Sequence, residues 1–349
     1  LLTVPYEFTT IQAAISAASD GDTIYVFSGT YVENINYNGK NISLIGEDRQ
    51  TTIIDGNNTG RVVIMGGPFP SSLSNFTIQN GTGSMNARGS GINAFGNVIL
   101  NNLIVKNNTN TTGEGAGIFF DSSPNEIPVL KNSLIIGNTG DGITCHGTNP
   151  LIDNVTIINN SLGIYLRPNV SGAHPTVINS IIYGNSDNNQ IIMSTGGNAH
   201  LSAIDISYCL VQGGQSSISQ VLNDTINWGS GNIDVDPMFV DTTNGNYHLL
   251  ATSQLINAGH PDSTDSDGTR ADIGAYPYLN TYSGPTWYVS AADGNNTTAT
   301  GASTAPFKSI QSAINFATTT SDSVTVAAGT YVENINFRGR NIKVVGADR

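Results

Sequence analysis

Apolar residues recur in short bursts along the middle of the chain, each burst closed by asparagine or glycine. "SNFTIQNGTG" begins at Ser74, "NNLIVKNNTN" at Asn101, "KNSLIIGNTG" at Lys131, "DNVTIINNSL" at Asp153 and "INSIIYGNSD" at Ile178, with a weaker copy, "ISYCLVQGGQ", at Ile206. Aligned on the asparagine at their second position, the marks are Asn75, Asn102, Asn132, Asn154 and Asn179, spaced 27, 30, 22 and 25 residues apart. A second phrase is interleaved with them: "GINAFGN" from Gly91, "GIFFDSS" from Gly117, "GITCHGT" from Gly142 and "GIYLRPN" from Gly163. Each unit therefore predicts a strand, a turn, a second strand and an Asn/Gly turn, and such a period marks a solenoid. The regular leucines of a leucine-rich repeat are missing, and a propeller blade needs about 40 residues. A parallel β-helix fits: inward Ile, Val and Leu stack coil on coil, and asparagines at the turns form amide ladders.

The start follows another period. Ile11, Ala14, Ile15 and Ala18 in "FTTIQAAISAASDGD" have helical spacing. A short helix here would cover the exposed strand edges and apolar stacks of the first coil. This opening returns late in the chain. "FKSIQSAINFA" from Phe307 repeats "FTTIQAAISAA" from Phe8, and "GTYVENIN" from Gly29 recurs from Gly329, 300 residues on. The expected organisation is an all-β, right-handed parallel β-helix over 1–280 with a short N-terminal capping helix and an irregular closing segment. A linker over 281–306 and the opening of a second, similar domain over 307–349 complete it. A solenoid needs about three repeats to stand alone. The second opening is therefore expected to lean on other coils, and head-to-tail contacts between copies are one way to supply them. The chain reads as a mature or excised piece of a longer tandem protein.

Composition supports strands and tight turns. Charged residues make up 11% of the 349, and 39 are glycine. The net charge of −13 opposes nucleic acid and anionic membranes. No apolar run is long enough to span a bilayer. Cys145 and Cys209 stand in strand-like runs and read as buried small hydrophobes.

The opening, with "KNISLIGEDRQTTIIDGN" behind it, resembles the first coils of the pectin-lyase-like right-handed parallel β-helix superfamily, whose generic repeats the chain matches from Thr9 to Gly213. The stretch from Asp234 to Tyr278 resembles the closing segment of large secreted or surface-attached bacterial β-helix proteins. It matches at Asp236, Pro237, Phe239, Asp241, Tyr247, Leu249, Ser253, Ile256, Ala258 and Gly259, then at Asp265, Asp267, Gly268, Arg270 and Asp272 through Ala275. The resemblance implies a secreted or cell-surface location. It implies no particular activity, because the downstream active-site motifs of pectin esterases are missing.

Candidate chemistry is sparse. Glycoside hydrolysis needs two carboxylates about 5–9 Å apart, and the central coils carry only the scattered Asp121, Glu126, Asp141 and Asp153. A polysaccharide lyase needs a base and a cation facing the uronate carboxylate; Lys131, His146 and Arg167 are the weak candidates, with Lys106 behind them. Phe119, Tyr165 and Tyr183 fall in comparable strands and would form a sugar-stacking row. Alternation along the strand predicts that one of Phe119 and Phe120 faces solvent. Asp262, Asp265, Asp267 and Asp272 around Gly268 could ligate Ca²⁺, or could brace an acidic turn together with Arg270. No cofactor is required. Two function classes follow: a non-catalytic extracellular module, such as a fibre or adhesin unit that grips carbohydrate, or a polysaccharide-active enzyme, most plausibly a lyase.

Overall fold

The computed structural model describes residues 1–83, 88–110, 115–121, 126–169, 171–194, 200–221 and 223–347. The chain divides into two compact units, Leu1–Asp234 and Val235–Arg349.

Leu1–Asp234 is a parallel β-helix within a solenoid of about 8 turns. Each full coil runs through three faces. On the first, Val63 stacks in register through Ile92, Ile118, Ile143, Ile164 and Ile191 to Ile218. On the second, Ile24, Leu44, Leu73, Leu100, Leu130, Ile152, Val177 and Ile206 form the column. On the third, Ile54, Ile78, Val105, Ile135, Ile157, Ile182 and Val211 do so. All three columns belong to one buried core. A further inward column, Met65–Ala94–Phe120–Cys145–Leu166–Met193, shows why the cysteine occurs where it does: it fills an aliphatic slot, and burial pushes its thiol up. Strand–crossover–strand units of this kind are right-handed in nearly all cases.

The asparagines divide into two jobs. The marked ones, Asn75, Asn102, Asn132, Asn154 and Asn179, turn the chain between the second and third faces in the left-handed conformation, with φ of 50–65°. Asparagine tolerates this region better than other non-glycine residues. The continuous buried ladder is built instead by those ending the third face. Asn108 Nδ2 donates to Asn138 Oδ1 at 3.0 Å, Asn138 to Asn160 at 2.9 Å and Asn160 to Asn185 at 3.1 Å. Each acceptor also takes the backbone N–H of the coil before it. This explains the glycine that opens the "GI" phrase. A Cβ on Gly142 would lie 3.0 Å from both Asn160 Nδ2 and Gly163 O.

The capping helix is present. Helix α1, Ile11–Ala17, is N-capped by Thr10 and buries Ile11, Ala14 and Ile15. The Glu33 carboxylate accepts from the N–H groups of Ile11 and Gln12 at 2.9 and 3.0 Å. At the other end, Lys40 Nζ donates to the carbonyls of Ile15, Ser16 and Ala18.

Val235–Arg349 contains an antiparallel pair, Phe239–Asp241 with Asn246–Leu249, and a parallel three-stranded sheet of Thr286–Val289, Ser323–Val326 and Lys343–Gly346. Helix α2, Ile310–Phe316, repeats α1, with Ser309 as N-cap and Glu333 accepting from Ile310 and Gln311. The division at Asp234/Val235 differs from the boundary near 280 that the repeat pattern suggests, and 281–306 is more than a linker. The closing segment joins the repeated opening: Asn315 Nδ2 donates to Ala251 O and Ser253 O, and Thr286–Val289 pairs with Ser323–Val326. Buried hydrogen bonds between them outweigh the linker-like composition.

A candidate binding face on the coils

The first face of the β-helix collects charged side chains at the ends of its strands. Phe119 lies in Ile118–Phe120, and Asp121 follows it directly. His146 and Arg167 end the next two strands, Asp141–His146 and Leu162–Arg167, as register partners. His146 Nδ1 lies 2.9 Å from Asp121 Oδ1, and its ring centroid sits 5.4 Å from that of Phe119. The Arg88 guanidinium stands over the same phenyl ring at 5.6 Å. Arg88 is seated by its own backbone, whose carbonyl accepts from Asn93 Nδ2, and by Gly89 (φ 73°), where an added Cβ would come within 2.9 Å of Phe119 Cβ.

Electrostatics extend the cluster. Burial lowers the basicity of Arg167, and the nearby Arg88 charge lowers it further. Burial also lowers that of Arg61, while Asp121 opposes the shift. Arg88, over Phe119, and Arg167, in register with His146, thus stand beside one His–Asp pair, in a chain with 13 Lys+Arg against 26 Asp+Glu. Below the face, burial raises the Asp141 carboxyl to about 6 even though it accepts from Thr144 Oγ1 and Gly115 N.

The sequence candidates fare unevenly. His146 and Arg167 come together. Lys131 does not join them: it lies on the second face and pairs with Asp153 at 3.3 Å. The sugar-stacking row is not formed. Phe119 and Phe120 are both fully buried, one outside the coil core beneath Arg88 and His146, the other within it. Strand alternation sends Phe119 outward, and the Arg88–Gly89 segment then covers it. Tyr165 is half-buried on the first face, in register with Thr144, whereas Tyr183 stands on the third, in register with Ile158. Asp121 lies inside a repeated phrase, "GIFFDSS", whereas Arg61 and Arg88 lie outside the phrases and so escape a reading by periodicity. The scarcity of arginine is the signal that could have found them.

Three of the four aspartates are engaged within their own turn. Asp272 is buried, and its oxygens accept from Asn257 N and Tyr278 N, each at 2.7 Å. Asp265 Oδ2 accepts from Asp272 N, and Asp267 takes Thr269 and Asn280. Asp262 points to solvent. Carboxylates spent on N–H donors brace the turn, and among the described residues no three His, Cys, Asp or Glu side chains are grouped to hold a metal. No helix among the described residues is long and apolar enough to cross a membrane.

Residues 292–337 match a family described as "Protein of unknown function (DUF1565)". No curated protein sequence matches the chain. Similar solved structures include the pectate lyase Pel9A, at 15% identity over 76% of this chain and 90% of that one, with a TM-score of 0.41. A pectin methylesterase from Yersinia enterocolitica is 13% identical over 66% of this chain and 92% of its own, with a TM-score of 0.43.

Proposed function

We propose that the β-helix is a non-catalytic module, secreted or surface-borne, that holds a carboxylated polysaccharide against its first face. The observation that carries this reading is the placing of Arg88 and Arg167 beside Asp121 and His146 in an otherwise acidic chain. Arginine recognises carboxylates through paired N–H donors, and parallel coils present such groups at a repeat of about 4.8 Å. A base for proton abstraction is poorly supplied. His146 is 6% exposed with Nδ1 directed at Asp121, and Lys131 belongs to another face. A lyase is the second reading, with Arg167, in register with His146 on the first face, as its base.

Affinity electrophoresis of the full chain through gels containing polygalacturonate, alginate or a neutral glucan tests the proposal. We expect retardation by an acidic polymer alone, weakened at least tenfold in Arg88→Ala and in Arg167→Ala. Equal mobility in every gel would sink it. Appearance of unsaturated uronate absorbance during incubation with an acidic polymer would replace it with the lyase.

A further inference from the structure

A second site lies within Val235–Arg349, beside the acidic turn of Asp265 and Asp267. A cavity of about 860 Å³ opens there, inside the range of about 300–1,000 Å³ usual for small-molecule sites. Three guanidiniums line it: Arg270, Arg338 and Arg340. Burial, then the Arg270 charge, lower Arg338 to about 10 against the opposing Asp272; burial, then the charges of Arg338 and Arg270, lower Arg340 to about 10 against Asp322. Asp272 and Asp322 offset only part of this burial and repulsion at Arg338 and Arg340, so an anion joining them would be favourable.

The internal repeat separates what folding needs from what it does not. The first copy holds the same backbone with Asn38 and Lys40. Asn38 has φ 53° and Arg338 has φ 56°, a left-handed conformation that suits asparagine and not arginine. Lys40 alone closes the carbonyl end of α1, and Arg340 Nη1 does the same for α2 at Ile314 O and Ala317 O. Arg338 Nη1 is spent on Ile256 O and Asn315 Oδ1. The second copy therefore carries guanidinium N–H groups beyond the needs of the helix clamp, and it carries them at this cavity.

Two buried polar atoms of the same lining have no hydrogen-bond partner among the described residues: Trp287 Nε1, a donor, and Asn257 Oδ1, an acceptor. Trp287 is 4% exposed and Asn257 3% exposed, and such atoms are costly when left unsatisfied. The indole and Phe316 add apolar ring surface. Asp267 and Asp322 also line the cavity, each with oxygens engaged by its own loop. They disfavour a multiply charged anion and can accept from hydroxyls. The complement is one carboxylate, several hydroxyls and a ring face.

We propose that this cavity binds a hexuronate, free or at the end of a glycan, with its carboxylate among Arg270, Arg338 and Arg340, a hydroxyl donating to Asn257 Oδ1 and Trp287 Nε1 donating to a sugar oxygen. The site belongs to Val235–Arg349 and does not rest on the reading of the coil face. The chain has two tryptophans, so Trp228→Phe leaves Trp287 as the reporter. In that background, titration with glucuronate and galacturonate is expected to change indole emission saturably, and galactose and inorganic phosphate are expected to change nothing. Arg338→Asn and Arg340→Lys restore the residues of the first copy. They should keep the circular dichroism and melting temperature while weakening uronate binding at least tenfold, and Arg88→Ala should bind as tightly as the parent. Failure of both uronates to bind, equal binding of phosphate, or unweakened binding by the two folded variants would overturn the proposal.

Discussion

At the scale of single residues, conformation and desolvation account for the less obvious choices. The turn asparagines occupy φ values of 50–65°, and where the last repeat carries Tyr208 instead, the backbone keeps the same place at φ 51°. The coils above and below impose the turn, so one unfavourable residue is tolerated. Buried carboxyls have a consequence in pH. Burial raises Asp272 from the ordinary 3.8 to about 8, with Asp265 adding to the shift, and burial raises Asp265 to about 6. A carboxyl that holds its proton more tightly when folded contributes stability below the unfolded pKa of about 4 and loses it as pH rises through the folded value. The melting temperature of Val235–Arg349 should therefore fall between about pH 4 and about pH 8. Asp272→Asn should flatten that slope while lowering stability overall, because its amide cannot accept from both Asn257 N and Tyr278 N. A pH series of thermal melts on both proteins decides it, and an unchanged slope in the variant would refute the assignment.

At the scale of elements, the repeated "GTYVENIN" is a helix clamp. Glu33 and Glu333 each accept from the first two N–H groups of a helix, and Gln12 and Gln311 each bond the backbone of the asparagine at the phrase's end, Asn36 or Asn336. A carboxylate at that end satisfies orphan donors and complements the helix dipole. Removing it by Glu333→Ala should cost about 0.5–2 kcal/mol, read as a lower denaturation midpoint with unchanged slope; an unaffected midpoint would show the cap to be dispensable. The two copies differ in what covers them. Ile35 and Tyr37 are at most 1% exposed beneath the next coil, whereas Ile335 and Phe337 are 41% and 40% exposed. The phrase builds the cap locally, and burial of its apolar side chains depends on neighbouring strands.

At the scale of the molecule, the core of the β-helix is drawn wholly from Leu1–Asp234, while Val235–Arg349 has its own buried Leu255, Trp287, Phe307 and Phe316. Residues 1–234 expressed alone should give a β-rich spectrum and one cooperative melt. A fragment without a transition would mean that the division at Asp234/Val235 is not a folding boundary.

Much of this architecture is written locally. Residues spaced like Asn75, Asn102, Asn132, Asn154 and Asn179 already imply stacked coils, since a side chain that repeats once per coil meets its own kind above and below. The capping helix is equally legible in Ile11, Ala14 and Ile15, because amphipathic spacing needs only one turn of chain. Other features depend on segments distant in sequence. The shielding of Phe119 by Arg88 and the joining of Arg88, Asp121, His146 and Arg167 come from different coils. The convergence of Arg270 with Arg338 and Arg340 also joins segments distant in sequence. The sequence alone determined the solenoid and its cap, because periodic burial is a local property of the chain. Only the tertiary structure decided where charge collects, because the distance between two guanidiniums is set by how segments stack, and no short-range pattern carries it.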